Sequence, residues 1–222
     1  MAEAKFSGKA KIKLELSKAM PSITLNAIDM KFKNVSLLDA KGRKVGAEAK
    51  VEINEKNQSA TFSFGTELPK GQYQLSMDYK GVIGTQAVGL FSLDYDDNGS
   101  KKRALYTQFE NSDARRFMPS WDEPIFKATF NLDVTIPSEH LAVSNMPAVA
   151  TKDLGNGKTW VKFGTSPKMS TYLLFLSVGD FERATIKAEG AEIGVVAKRG
   201  SLDQARYALD ESAGVLRYLN NY

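Results

Sequence analysis

Apolar residues recur at every second position, in run after run, through the first two-thirds of this chain. Ile23, Leu25 and Ala27 alternate with polar residues, as do Ala47, Ala49, Val51 and Ile53, and then Tyr73, Leu75, Met77 and Tyr79. The longest run is Phe126, Ala128, Phe130, Leu132, Val134 and Ile136. Successive side chains of an extended strand point to opposite faces, so this period sends one face into a core and leaves the other in water. Turn-forming residues separate the runs at Lys41-Gly42, Asn57-Gln58, Pro69-Lys70-Gly71, Asp96-Asp97-Asn98-Gly99 and Gly155-Asn156-Gly157. Many short strands at this spacing predict a mainly β fold, an antiparallel β-sandwich or a pair of saddle-like sheets.

Two segments depart from that pattern. Tyr172-Leu173-Leu174-Phe175-Leu176 is apolar at every position, which predicts a strand covered on both faces. From Ser201 the period lengthens: Ala205, Ala208, Leu209, Ser212, Leu216 and Leu219 lie on one side of a helix of about five turns. Ser201-Leu202-Asp203-Gln204 resembles a capping box, with Ser201 as cap and Gln204 three residues on. Its apolar stripe needs a partner, so the helix reads as the opening of a second domain cut off at Tyr222.

Composition narrows the function. The 222 residues are 42% hydrophobic and 25% charged, ordinary for a chain that buries a sizeable core. The net charge is +4, but basic residues mostly alternate with apolar ones, as in Lys9-Ala10-Lys11-Ile12-Lys13-Leu14. That is the pattern of a strand with a solvated face, so no nucleic-acid partner is expected. Lys101-Lys102-Arg103 reads as a solvated turn. There is no cysteine, hence no disulfide framework and no thiolate metal site, which fits a cytoplasmic location. No apolar run is long enough to span a bilayer, and Met1-Ala2-Glu3-Ala4-Lys5 lacks the apolar centre of a signal peptide.

The familiar catalytic constellations are missing. His140 is the sole histidine, so there is no H-E-x-x-H zinc helix and no obvious base for a serine nucleophile. Asp94, Asp96 and Asp97 lack EF-hand spacing and read as a solvated acidic turn. The segment Tyr106–Pro124 is more specific. A strand ends at Phe109 and Glu110 follows. Asn111-Ser112-Asp113 then opens one short helical turn, and Pro119 and Pro124 stiffen the return. Arg115, Asp122 and Glu123 read as charges that hold the loop.

This segment resembles the amino-terminal domain of the aminopeptidase N family of zinc metallopeptidases (gluzincins). The matching stretches are Thr107-Gln108-Phe109-Glu110, Asp113-Ala114-Arg115 and Pro119-Ser120-Trp121-Asp122-Glu123-Pro124, with Ser120 where the family usually has cysteine. Phe6-Ser7-Gly8, Val143-Ser144-Asn145-Met146-Pro147, Met169-Ser170-Thr171-Tyr172-Leu173-Leu174 and Gly179-Asp180-Phe181-Glu182 match in the same order. The family's first strand, upstream of Phe6, has no counterpart, so a sheet edge is expected to be bare.

The resemblance implies an amino-terminal β domain over residues 1–183 and the beginning of a thermolysin-like catalytic domain over residues 184–222. It implies zinc in the parent enzyme, held downstream of Tyr222, and none bound by this fragment, which should be inactive alone. It implies a peptide with a free amino terminus as substrate and the missing catalytic domain as partner. Glu110 would bind the substrate α-ammonium, and Gln108 would line the first side-chain pocket or orient Glu110. Two other readings stay open. One is a non-catalytic scaffold of the same fold. The other is a stand-alone β-sandwich binding module, with Trp121 and Trp160 as candidate aromatic platforms.

Overall fold

The computed structural model describes residues 4–222, which fold into antiparallel sheets with one helix at the C-terminal end. The chain divides into two compact units that alternate along the sequence. The first runs through Ser92 and includes Tyr106–Phe130 and Ser166–Phe175; the second comprises Leu93–Leu105, Asn131–Thr165 and Leu176–Tyr222.

The first unit is built on six strands: β1 (Lys5–Leu16), β2 (Met20–Asn26), β3 (Lys31–Asp39), β4 (Lys50–Asn54), β5 (Ser59–Leu68) and β6 (Gly71–Val82). They form two three-stranded sheets, β1-β6-β3 and β2-β5-β4. The inward residues of both sheets share one core, in which Leu25, Leu37, Phe62, Phe64, Leu68 and Leu75 are fully buried. Phe32 of one sheet meets Phe62 of the other edge to face at 5.2 Å, a favoured aromatic geometry. The alternation expected at Ile23–Ala27 and Tyr73–Tyr79 is therefore the core pattern itself.

Two local devices keep that pattern in register. Phe32 and Val35 both face the core although they are three residues apart, which strict alternation forbids. A bulge between Lys33 and Ser36 takes up the extra residue, with Asn34 at φ 52°. Asn34 is held there by a 2.6 Å hydrogen bond from its side-chain amide to Asp78 Oδ2. At the start of β1, Phe6 pairs across the ladder with Gly81, and Gly8 with Tyr79. A Cβ on either glycine would run into the ring opposite, so each glycine is the seat of its partner's aromatic ring.

The chain continues through β7 (Gly89–Asp97) and β8 (Ser100–Gln108), which turn on Asn98-Gly99 at φ 53° and 82°, the positive values that a tight hairpin requires. A 3-10 turn (Ala114–Arg116) and β9 (Lys127–Ala128) follow. Next come β10 (Asp133–Pro137), β11 (Leu141–Ser144), β12 (Ala148–Gly155), β13 (Lys158–Phe163) and β14 (Met169–Ser170). A second 3-10 turn (Thr171–Leu173), β15 (Leu176–Gly179), β16 (Phe181–Ala188), β17 (Ala191–Lys198) and α1 (Leu202–Asn220) complete the chain. Further sheets run β10-β13-β12 and β11-β15-β8-β7; β14 pairs with β9, and β16 with β17. In the second unit α1 lies against the β16-β17 hairpin and buries Leu209.

Four expectations need correction. The long run Phe126–Ile136 is not one strand: β9 and β10 are separated, and Phe126 is 48% exposed. Tyr172–Leu176 is not a buried strand either. It forms a 3-10 turn and an extended piece with Leu173 and Phe175 exposed, and the strand buried at every position is β15, just beyond. Lys102 and Arg103 lie within β8 rather than in a solvated turn. There they pair with the acidic residues of β7: Arg103 with Asp94 at 2.5 Å and Lys102 with Asp97 at 2.6 Å. Ser201 makes no side-chain cap for α1. Glu182 Oε1 does so instead, accepting the N–H groups of Gly200, Ser201 and Leu202 at 2.7, 3.1 and 3.2 Å. A carboxylate satisfies the orphan donors and the positive end of the helix better than a hydroxyl does.

Candidate functional site

Glu110 stands where β8 leaves its sheet. From Thr107 to Glu110 buried and exposed residues alternate: Thr107 and Phe109 point inward, Gln108 and Glu110 outward. Phe109 is 2% exposed and stacks on Phe117 at 5.5 Å; Phe117 stacks on Phe6 of β1 at the same separation. This ladder of three rings anchors the residue before Glu110 to the rim of the sandwich. Asp113 N–H donates to Phe109 O at 2.9 Å and closes the turn around Glu110. The peptide bond Glu110–Asn111 is cis.

The rest of the loop is locked around Asp122, which is 1% exposed. Its Oδ2 accepts the backbone N–H and the Nε of Arg115 at 3.1 and 3.0 Å, and its Oδ1 accepts Thr171 Oγ1 at 2.6 Å. Asp122 N–H donates to Asn26 Oδ1 at 3.1 Å, and Arg115 Nη1 donates to Gln58 Oε1 at 3.0 Å. Backbone bonds finish the clamp: Asn26 with Ser120 in both directions, and Ile28 N–H to Arg115 O. Ser170 Oγ donates to Pro124 O at 2.6 Å. A buried carboxylate is costly unless its oxygens are satisfied, and here both are.

The sequence reading of Arg115 and Asp122 as scaffold therefore holds. Glu123 is exposed and takes no part in the lock. Arg116 pairs with Asp113 at 2.9 Å. Asn26, Gln58 and Thr171 were missed, because nothing local links them to a loop that is 49 to 96 residues away along the chain. Phe6 and Phe117 were visible as apolar residues, but not as the foundation under Phe109.

Glu110 itself is exposed and makes no ion pair or side-chain hydrogen bond among the described residues. Glu110 and Glu123 are the exposed acidic residues of this loop. Gln108 shares the exposed side of Glu110. The cavity next to the loop, about 140 Å³ between Gly84, Leu90 and Arg116, is lined by neither residue. His140 precedes β11, far in sequence from either. Among the described residues no three His, Cys, Asp or Glu side chains are grouped so as to hold a metal ion. Trp121 packs against the core of the first unit and Trp160 is half-buried in β13, so packing accounts for both.

The model of the peptidase M1 N-terminal domain matches residues 1–173. The chain belongs to that family. This M1 N-terminal domain is 38% identical to an aminopeptidase N of Acetobacter pasteurianus, over 98% of this chain and 60% of that protein. It is 36% identical to aminopeptidase M1 of Arabidopsis thaliana and 32% identical to human endoplasmic reticulum aminopeptidase 2, each over 98% of this chain. It spans 25% and 23% of those two proteins. No helix among the described residues of this M1 domain is long and apolar enough to cross a membrane.

Proposed function

We propose that this chain is the substrate-gripping piece of a zinc aminopeptidase, with Glu110 as the anchor for the α-ammonium of a peptide. The observation that carries the reading is an exposed carboxylate, free of internal partners, on a loop that the Phe6–Phe117–Phe109 stack and the Asp122 lock hold rigid. A fixed carboxylate makes a charge-assisted bond to an ammonium, and that bond is lost when the amine is acylated or part of an internal peptide. Selection for chain ends follows from it. Gln108, on the same side, lines the pocket for the first side chain or orients Glu110.

The activity belongs to a longer parent. Residues 1–183 are its amino-terminal β domain, and residues 184–222, with most of β16, all of β17 and α1, open a thermolysin-like catalytic domain. On this reading the zinc is held by the catalytic domain of that parent. Large apolar side chains stand exposed in each unit: Ile125 is 79% exposed in the first, Leu219 61% and Val215 58% in the second. Such residues fit a chain that meets further protein. The absence of cysteine is compatible with a cytoplasmic parent.

The test uses the complete enzyme. Glu110→Gln keeps the shape and removes the charge. A charged hydrogen bond is worth about 1.5–3 kcal/mol, so kcat/KM for free-amine substrates should fall roughly tenfold to a hundredfold. Unchanged kinetics would remove the assigned role. Separately, the 222-residue chain with added zinc should not hydrolyse an aminoacyl-nitroanilide.

A further inference from the structure

The water face of the β1-β6-β3 sheet gathers lysines that are scattered in sequence. The registers lay them out in rows across the sheet: Ser7, Lys80 and Lys31; Lys9, Asp78 and Lys33; Lys11, Ser76 and Ser36; Lys13 and Gln74. Lys9, Lys11, Lys13, Lys31, Lys33 and Lys80 are all exposed. The acidic residues on this face are Asp78 and Glu15. Lys5, at the head of β1, faces the same way. With Lys5 included, seven lysines less two carboxylates leave five positive charges on this face.

The arrangement is not self-neutralising. Lys80 lies directly opposite Lys31, and like charges opposed across a ladder are destabilising. Asp78 already serves Asn34 at 2.6 Å and Lys9 at 3.8 Å. Lys11 and Lys13 face Ser76 and Gln74, which carry no charge. The β1–β6 part of the face is long and regular. β1 pairs with β6 over twelve residues without a register shift, a run of about 40 Å at the usual rise per residue.

Its chemistry selects among anionic partners. None of these outward positions holds an aromatic ring on which a base could stack, or an arginine to fork onto a single phosphate. Point charges spread over an exposed sheet face match an extended anionic layer, where each lysine adds independently. We propose that this face docks the chain peripherally on an anionic lipid surface.

The experiment is sedimentation of the chain with vesicles of phosphatidylcholine alone and of phosphatidylcholine doped with phosphatidylserine. Binding is expected only to the doped vesicles and should weaken as salt is raised. Each of Lys11→Gln, Lys13→Gln and Lys33→Gln should lower the partition about fivefold. The corresponding Arg variants should bind like the parent, and unaltered thermal melting of the Gln variants shows that the fold is kept. The proposal is overturned by equal binding to both vesicle types or by Gln variants that bind like the parent. It is also overturned by tighter binding to a single-stranded oligonucleotide or to polyglutamate than to the doped vesicles.

Discussion

Asp122 concentrates more of this protein's local order than any other side chain in the loop. Its oxygens hold Arg115 and Thr171, and its backbone N–H reaches Asn26. Asp122→Ala would take the carboxylate from the buried Thr171 hydroxyl and from Arg115, whose side chain is 14% exposed and keeps its bond to Gln58. Removing one partner of such a buried pair costs about 3–5 kcal/mol, and urea denaturation of the chain should show a loss of that size. Thr171→Val removes a single bond to the same carboxylate and should cost about 1–3 kcal/mol. Glu110→Gln, by contrast, should leave denaturation unchanged, because nothing inside the chain depends on it. The distinction between these two acids was partly legible before the structure. The motif placed both in one stiff loop and marked Asp122 as scaffold. That Asn26 and Thr171 also bind Asp122, and that Gln58 binds Arg115, was not legible, since they come from β2, the second 3-10 turn and the β4–β5 turn.

At the scale of elements, the helix start and the broken strand are instructive. Glu182 reaches from β16 to three N–H groups at the head of α1. Glu182→Ala should cost about 1 kcal/mol, the usual loss for a missing cap. Hydrogen exchange should quicken at Gly200, Ser201 and Leu202 while the core strands keep their protection. Ser201→Ala should do little, because the Ser201 side chain makes no cap bond. The capping-box pattern misled because a cap can be supplied from anywhere in space, and here the tertiary donor is a charge. The run Phe126–Ile136 misled for a related reason. Alternation states which residues could share a face, but pairing needs a neighbour along the whole length, and β9 finds one only at β14.

At the scale of the molecule, charge governs response to pH. In the second unit Lys102 Nζ lies 2.6 Å from both Asp97 and Asp180; Lys198 joins Asp97 at 2.9 Å and Arg199 joins Asp180 at 2.6 Å. The hydrogen bonds from Lys102, and after them those from Lys198 and Arg199, hold both carboxyls below the ordinary aspartate value. Carboxyls depressed by folding contribute stability that is fully present above about pH 4 and is lost as pH falls through their folded values. Lys102 is raised by Asp180 and Asp97. Its contribution is fully present below about pH 10.4 and is lost as pH rises through the higher folded value. Melting temperature should therefore decline below about pH 4, and Lys102→Met should blunt that decline. Exposure keeps the effect modest, since water and salt screen these pairs.

Taken alone, the sequence determined the class of this protein. Period-two alternation requires sheets with one dry face, and the spacing of turns makes them antiparallel. The order of its motifs marked the family, and the stiff segment around Glu110 marked the site proposed above. Only the tertiary structure decided which strands are neighbours, what satisfies Asp122, what caps α1, and that lysines dispersed over three strands meet on one face. The physical reason is range. Alternation and turn chemistry act between residues a few positions apart, whereas buried polar groups and surface fields are settled by whatever the fold brings alongside.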